Sequence, residues 1–332
     1  MSEKRIEKWD NAKGILIILV VLGHVIEPGV NSKGYLNWLF LFIYMFHMPA
    51  FFFLSGMLSK STVYSRKYDR IAGYLFLFFV MKMIVFLSKT IVAGKPAGFH
   101  LYSEAEIPWY AFCMTVYLLV VISMQDLKKT GILIGSVLLA CFAGYDDSIG
   151  DVLVLSRTIC FFPFFYAGYC IQENALEKVL STKKLRIGSG IILVLLLLMV
   201  WRYIDRVYWI RPLITGRNPF SKLTIFSGYG GILRLGYYGV AACIVGMMLA
   251  VSPCRKSFLG FLGRRSLAIY VFHKPLLNLL NWHQLRDRFI NWSIFPTHLV
   301  PCLIVTVFVL ALCSMKTPYR ICRGIMNVKK RS

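Results

Sequence analysis

Long runs of apolar residues alternate with short polar segments along the whole of this 332-residue chain. The runs have the length of about 20 residues that a helix needs to cross the hydrocarbon core of a membrane. They are continuous, whereas the strands of a membrane β-barrel alternate apolar and polar residues. The pattern predicts an all-α, polytopic membrane protein with ten transmembrane helices, at residues 14–30, 35–58, 71–93, 108–124, 131–145, 152–172, 187–204, 230–251, 262–280 and 294–314.

The amino-acid composition agrees with a membrane protein, since 58% of the residues are hydrophobic and the mean hydropathy is +0.64. These values exceed those of ordinary soluble domains. No internal repeat or soluble segment is visible, so we expect one membrane domain over residues 1–332, ending in a short basic cytoplasmic tail at 315–332. The first apolar run is not followed by a small-residue cleavage site and is expected to remain as the first helix.

Positive charge is concentrated in alternate connecting segments. A net charge of +23 would suggest a nucleic-acid partner in a soluble chain, but here the short loops follow the positive-inside rule. With the N-terminus in the cytoplasm, the inside segments hold 24 Lys and Arg residues and the outside loops hold ten. We therefore expect a multi-pass protein of the cell (plasma or inner) membrane, with both termini cytoplasmic, the lipid bilayer as a partner and no nucleic acid.

Two consecutive predicted helices each contain a histidine. His24 lies eleven residues after Lys13, about 16 Å deeper along a helix that Lys13 anchors at the cytoplasmic interface. His47 precedes Pro49, and a proline in a membrane helix loosens the backbone where it lines a cavity. An ionisable residue in hydrocarbon is a functional candidate, so we expect a helical hairpin to bring both histidines to one site. The alternative is a structural histidine that hydrogen-bonds to a neighbouring helix.

Several polar residues near these helices are further candidates. Glu27 follows His24 by three residues, a spacing that places both side chains on one helix face, and could orient its ring. Arg157 lies inside a predicted span, where a guanidinium needs a phosphate, a carboxylate or water. A contact with a bound substrate and a structural ion pair with Asp151 both satisfy that need.

Two connecting loops have compositions that suit binding. The cytoplasmic loop after the second span contains Arg66, Lys67 and Arg70, and clustered cations bind phosphate oxygens well. The same cations are also explained as positive-inside anchors. The long outside loop, 205–229, mixes aromatic and guanidinium side chains that suit a polar acceptor, with Trp209 and Arg211 among them.

Arg234 and Lys274, two more cations within predicted spans, are weaker candidates, and so is His273. Arg234 lies within the eighth predicted span and poses the same problem of a cation in hydrocarbon. His273 stands next to Lys274 and Pro275, close to the end of a predicted span, where an interfacial role is as expected as a functional one.

Four segments and the basic loop that ends at Arg70 resemble the membrane acyltransferase-3 family, and most of all its fucose 4-O-acetylase-type branch. The first reads Trp-Asp-x-x-Lys-Gly-x-x-Ile-x-Leu-Val-Val-Leu-Gly-His at residues 9–24. The others are His-Met-Pro-Ala-Phe-Phe-Phe-Leu-Ser-Gly at 47–56, the stretch 156–169, and Ser-Leu-Ala-Ile-Tyr-Val-Phe-His-Lys-Pro at 266–275. The resemblance extends over nearly the whole chain.

The resemblance implies an enzyme that takes an acyl group, acetyl above all, from a cytoplasmic coenzyme A thioester and places it on a hydroxyl of a cell-surface or exported saccharide. It also implies that His24 is catalytic, and the chemistry agrees, because a neutral imidazole can accept the proton of an attacking hydroxyl. The catalytic candidates are His24, Glu27 and His47. The donor-binding candidates are Lys13, Arg66, Lys67, Arg70 and Arg157. The acceptor-side candidates are Trp209, Arg211 and Arg234.

This chain differs from the family pattern at two basic positions. The family commonly has arginine where this chain has Lys13, and a related branch has Arg-x-x-Arg where this chain has Lys67-x-x-Arg70. Which of Arg66, Lys67 and Arg70 form the donor-phosphate pair therefore stays open. Acetyl-CoA is expected as the donor substrate, and no metal is expected, because the histidines bring no cysteine or carboxylate at ligand spacing.

Two other classes of function fit part of the pattern. A transporter or flippase for a glycan or lipid-linked intermediate would use the intramembrane histidines as a proton relay. A non-enzymatic assembly partner would have little reason to keep several intramembrane cations. No sequence pattern indicates the acceptor sugar, the acyl length or the oligomeric state. A monomer is the default expectation.

Overall fold

A computed structural model describes residues 6–27, 36–99, 106–291 and 299–327. The described chain is all-helical, which confirms the predicted fold class. The α-helices are α1 (Glu7–Ile26), α2 (Asn37–Tyr44), α3 (His47–Met57), α4 (Lys60–Tyr64), α5 (Tyr68–Ala93), α6 (Trp109–Ser123), α7 (Lys129–Ala143), α8 (Leu155–Cys170), α9 (Glu173–Leu180), α10 (Lys183–Arg202), α11 (Ile204–Val207), α12 (Arg211–Ile214), α13 (Gly230–Val251), α14 (Phe258–Arg264), α15 (Ser266–Leu279), α16 (Trp282–Asn291), α17 (Leu299–Cys313) and α18 (Lys316–Met326).

A helix overlaps each of the ten predicted spans, but several boundaries differ. Within the described residues, five helical segments are long and apolar enough to cross a membrane by length and composition, or six if α17 and α18, bent by 59°, form one span. The five are Glu7–Ile26, Asn37–Met57, Tyr68–Ala93, Lys183–Arg202 and Ser227–Val251. The number of crossings and the side on which each terminus lies remain predictions.

The tail predicted at 315–332 contains a helix instead of only a polar extension. Helix α18 is strongly amphipathic, with Cys322 buried and Tyr319, Ile325 and Met326 packed on a core cluster that includes Leu77. Its apolar residues recur at helical spacing, but Lys and Arg residues stand between them. The high charge of this segment therefore suggested a polar tail and not an amphipathic helix.

Helix α1 lies at the centre of the fold. Leu16, Ile17, Val21 and Val25 are almost fully buried, and the helix packs against α2, α3, α13, α14, α15 and α17. A central helix buried on nearly all sides differs from α10, whose apolar side chains, such as Ile191 and Leu195, are mostly exposed. Exposed apolar side chains are typical of a helix in hydrocarbon surroundings, so α10 is predicted to face lipid.

Polar side chains fix the Lys13 end of α1 to the neighbouring helices. Lys8 is fully buried, and its Nζ donates to the carbonyl oxygens of Ala250 and Ser252, each at 3.2 Å. Asn11 donates to the carbonyl oxygens of Pro253 and Arg255 at 2.7 and 2.8 Å. These bonds satisfy carbonyls in the last turn of α13 and in the segment that follows it, where a helix leaves carbonyl groups without intrahelical partners.

Candidate active site

A cavity of about 860 Å³ runs along α1. On α1 its wall is formed by Lys13, Ile17, Val20, His24 and Glu27. These residues recur every three or four positions and therefore lie on one face of the helix. The first and the last are about 21 Å apart along the helix axis, at about 1.5 Å per residue. The cavity thus follows α1 over most of its length.

His24 and Glu27 form a hydrogen-bonded pair in this wall. The Nδ1 atom of His24 lies 2.9 Å from Oε2 of Glu27, and the two side chains are 23% and 40% exposed. An ionised carboxylate only accepts hydrogen bonds, so it selects the tautomer with the proton on Nδ1. The Nε2 atom of His24 is then left with a lone pair, which is the form that a general base requires.

Glu27 follows the last residue of α1, and its surroundings keep it ionised. The hydrogen bond with His24 and the nearby cations of Lys274 and Arg211 favour the charged carboxylate over the neutral acid. The carboxylate therefore acts as an acceptor that orients the ring, as the sequence predicts, and does not compete for the proton that His24 would take up.

His47 lies in the wall of the same cavity. Its Nδ1 donates to the carbonyl oxygen of Ile43 at 2.8 Å, and the ring meets Tyr44 edge-on. Pro49 lacks the amide that would bond to the carbonyl of Met45, and the hydroxyl of Tyr237 donates to that carbonyl at 3.2 Å instead. The proline thus loosens the backbone where the helix lines a cavity, and the hairpin does bring both histidines to one cavity.

A third histidine lies beside His24, and the sequence interpretation underestimated it. The ring centroids of His24 and His273 are 5.2 Å apart. His273 lies within α15 and not at its end, because this helix continues to Leu279. Its side chain is fully buried, and its Nδ1 lies 3.0 Å from the carbonyl oxygen of Ile269. Its Nε2 has no hydrogen-bond partner among the described residues. A signal existed in the sequence, since His-x-Pro occurs here as it does at His47.

The Lys13 end of the cavity is basic. Lys13 pairs with Asp10 at 2.9 Å, and Arg264 pairs with Glu7 at 3.2 Å. Arg70 is exposed, lies near the start of α5 and lines the same cavity. Three cations, two of them ion-paired, therefore lie at the end of the cavity where the sequence predicts the donor site.

Arg66 and Lys67, the other two residues of the predicted donor loop, are exposed and are not part of the cavity wall. They precede the first residue of α5, with Arg66 at a φ of 42° in the left-handed region. Of the donor loop, only Arg70 is brought to the cavity.

Arg157 forms the ion pair that was one of its two alternatives and also lines the cavity wall, so contact with a bound substrate stays a prediction. Its Nη2 lies 3.1 Å from Oδ1 of Asp151, and its guanidinium lies over the ring of Trp109. The other carboxylate oxygen of Asp151 accepts from Nε of Arg217 at 2.6 Å. This network lies at the N-terminal end of α8, away from Arg70, which separates Arg157 from the other donor candidates.

The three acceptor-side candidates have different surroundings. Arg211 lines the cavity, with its guanidinium 5.2 Å from the ring centroid of Phe40. Trp209 lies outside the wall and packs on Phe226. Arg234 is buried outside the wall, where it donates to the carbonyl oxygen of Ala140 at 3.1 Å. Only Arg211 is positioned to contact a molecule in this cavity.

The described residues contain no group of three or more His, Cys, Asp or Glu side chains arranged to hold a metal ion. The nine cysteines are all free thiols. The cavity wall contains histidines, carboxylates and cations.

The fold and the cavity define an all-helical protein with several helices apolar enough to cross a membrane and with a histidine–carboxylate pair in the wall of a cavity between its helices. The chain belongs to the Acyl_transf_3 family, whose model, described as an acyltransferase domain, matches residues 6–315. This match confirms the family that the sequence motifs indicate. The branch within the family remains a prediction.

Two curated relatives share shorter segments with the chain. The nodulation protein NolL of Sinorhizobium fredii (strain NBRC 101917 / NGR234) is 37% identical over 95 residues, which are 28% of this chain and 26% of that protein. The protein of the same name from Mesorhizobium japonicum (strain LMG 29417 / CECT 9101 / MAFF 303099) is 40% identical over 68 residues, 20% of this chain and 18% of that protein. The matched segments span about a quarter or less of these relatives. No solved structure gives a significant match.

Proposed function

We propose that this protein is a membrane O-acyltransferase that moves an acyl group, acetyl above all, from cytoplasmic acyl-CoA to a hydroxyl of a cell-surface or exported saccharide. One observation supports this most directly. A single cavity reaches from Lys13 and Arg70 to Glu27 and Arg217, and His24 stands in its wall. A thioester entering from one end and a hydroxyl entering from the other would meet at this ring.

The donor fits the Lys13 end by charge and by length. The phosphates of coenzyme A are anionic, and Lys13, Arg70 and Arg264 surround that end. His24 lies about 16 Å further along α1, a rise comparable to the length of the pantetheine arm. With the phosphates held at the surface, the thioester carbon reaches the level of His24.

The chemical step needs one base and a fixed geometry. The saccharide hydroxyl loses its proton to Nε2 of His24 while its oxygen forms a bond to the thioester carbon. The tetrahedral intermediate then breaks its carbon–sulfur bond, and the coenzyme A thiolate takes the proton from the imidazolium. Glu27 stabilises that imidazolium through the hydrogen bond to Nδ1. The products are an O-acyl saccharide and free coenzyme A.

The substitution His24→Asn tests this role. An asparagine amide can replace Nδ1 as a donor to Glu27, but it has no basic nitrogen. We expect the transfer of labelled acetyl from acetyl-CoA to base-labile esters in membranes containing the chain to fall by about 10²- to 10⁴-fold, the usual contribution of a general base. The thermal unfolding of the purified variant in detergent should match the wild type.

Undiminished transfer by a stably folded His24→Asn protein would contradict the assignment. The same membranes also distinguish an acyltransferase from a transporter, because a flippase could use this cavity as well. Translocation of a glycan that depends on a proton gradient, without any acetyl incorporation, would favour transport over acyl transfer.

A further inference from the structure

Cations line the cavity in two groups, one at each end. The proximal cluster consists of Lys13, Arg70 and Arg264. The distal cluster consists of Arg157, Arg211, Arg217, Lys222 and Lys274. The distal cluster belongs to the Glu27 end of α1, because Lys274 follows His273, whose ring lies against His24, and Arg211 lies over Phe40 of α2.

Among the residues that the structure describes, the distal cluster contains more cations than there are carboxylates beside it. Arg157 and Arg217 share the single carboxylate of Asp151. Of the two acidic residues in this part of the wall, Glu106 pairs with Lys89, and Glu27 is hydrogen-bonded to His24 with Lys274 and Arg211 also near its carboxylate. Two carboxylates, those of Asp151 and Glu27, therefore face the five cations of the cluster.

The two lysines of the distal cluster stand apart from these ion pairs. In the part of the chain that the structure describes, neither Lys222 nor Lys274 forms an ion pair, and Lys274 lies within α15 at the level of His24. A cation at membrane depth is costly unless it serves a bound anion or a water-filled passage.

The donor does not explain this surplus. If the thioester reacts at His24, the phosphates of coenzyme A lie a pantetheine length away on the Lys13 side, at the proximal cluster. The distal cations are on the opposite side of His24, where the proposed reaction places the saccharide. Neutral sugars need hydrogen-bonding groups but no net charge.

We propose that the acceptor is an anionic saccharide, one that has a phosphate or a carboxylate near the hydroxyl to be acylated, and that the distal cluster binds this group. The proposal rests on the proposed acyl transfer and names the substrate class of the same site. Arginine and lysine bind both kinds of oxyanion through charge-assisted hydrogen bonds. The shared chemistry is an oxyanion attached to the acceptor sugar.

The test uses the full chain in proteoliposomes with labelled acetyl-CoA and three acceptors built on one sugar: a neutral glycoside, the corresponding uronic acid and a glycosyl phosphate. We expect the value of kcat/KM to be at least about tenfold higher for one of the two charged acceptors than for the neutral one, equivalent to about 1.4 kcal/mol. Which charged acceptor is preferred distinguishes phosphate from carboxylate.

Variants of the two clusters show which substrate each end binds. Lys274→Gln should raise the KM for the charged acceptor several-fold and leave the KM for acetyl-CoA unchanged, and Lys274→Arg should restore the acceptor KM. Arg70→Gln should have the reverse selectivity. Lys256→Gln is the matched control, because Lys256 is exposed and outside the cavity wall, and both KM values should stay at the wild-type level.

The outcomes separate this inference from the proposed function. If the neutral glycoside is acetylated as efficiently as the charged acceptors, and Lys274→Gln leaves every acceptor KM unchanged, the anionic acceptor is wrong while acyl transfer stands. If none of the acceptors incorporates label under conditions in which the protein is folded, the proposed function is overturned and this inference with it.

Discussion

The imidazole rings of His24 and His273 lie side by side, with their centroids 5.2 Å apart and their planes at 37°. One ring comes from α1 and the other from α15, about 250 residues later in the chain. His273 is held by a hydrogen bond from Nδ1 to the carbonyl oxygen of Ile269 and has no exposed surface. The buried His273 ring therefore provides a packing surface for the partly exposed ring of His24.

Replacing His273 by alanine should slow the transfer step without weakening donor binding. The ring of His24 would lose its packing partner, and misplacement of a reacting group by a small distance is costly in rate. We expect kcat to fall by about tenfold or more and the KM for acetyl-CoA to stay within about twofold. His273→Asn, whose amide can still donate to Ile269, should recover part of kcat. If His273→Ala and His273→Asn lost kcat to the same extent, and both also lost thermal stability, the role of His273 would be only structural.

Glu27→Gln should lower kcat because the glutamine amide cannot stabilise an imidazolium as the carboxylate does. A hydrogen bond to a charged group contributes about 1.5–3 kcal/mol, so the expected loss is about 10- to 100-fold. Steady-state kinetics at saturating acetyl-CoA measure it. Glu106→Gln is the matched control, since Glu106 lines the same cavity but pairs with Lys89. If both variants lost activity equally, the effect would reflect the charge of the cavity and not the pair with His24.

Arg70 and Arg66 should differ in their effect on donor binding, although they stand four residues apart in one basic loop. Only Arg70 lines the cavity. Because its side chain is exposed, we expect Arg70→Gln to cost about 1 kcal/mol, which is about a fivefold rise in the KM for acetyl-CoA. Arg66→Gln should leave that KM at the wild-type value. A rise for Arg66→Gln alone would move the phosphate site out of the cavity and into the loop.

The sequence was sufficient to predict the helices and the central histidines, for physical reasons. Continuous apolar runs define membrane helices strongly, and a polar residue within such a run is conspicuous. His24 and Glu27 meet because a helix places residues three apart on one face. His47 joins them because α1, α2 and α3 are consecutive along the chain. These relationships are local, so periodicity and connectivity were enough to predict them.

Relationships between distant segments were not predictable in the same way. His273 reaches His24 only through the packing of α15 on α1. Whether Arg211 or Arg234 lines the cavity or is buried elsewhere depends on which way each helix is rotated. Arg234 ends beside Ala140 and Phe220, which no spacing in the sequence indicates. Composition marks such cations as candidates, but only tertiary packing distinguishes those that face the cavity.

Close packing of α3 on α8 should make Gly56 intolerant of any side chain. A methyl group at position 56 would overlap the carbonyl oxygen of Phe165, a backbone atom that cannot move independently of α8. We expect Gly56→Leu to lower the unfolding temperature in detergent, since overpacking costs about 1–3 kcal/mol. Gly131→Leu on α7, where nothing lies within 4 Å, should keep or raise it, because glycine is about 1 kcal/mol less favourable than leucine or alanine in a helix. If the two variants unfolded at the same temperature, α3 and α8 would not be in the contact that positions His47 in the cavity wall.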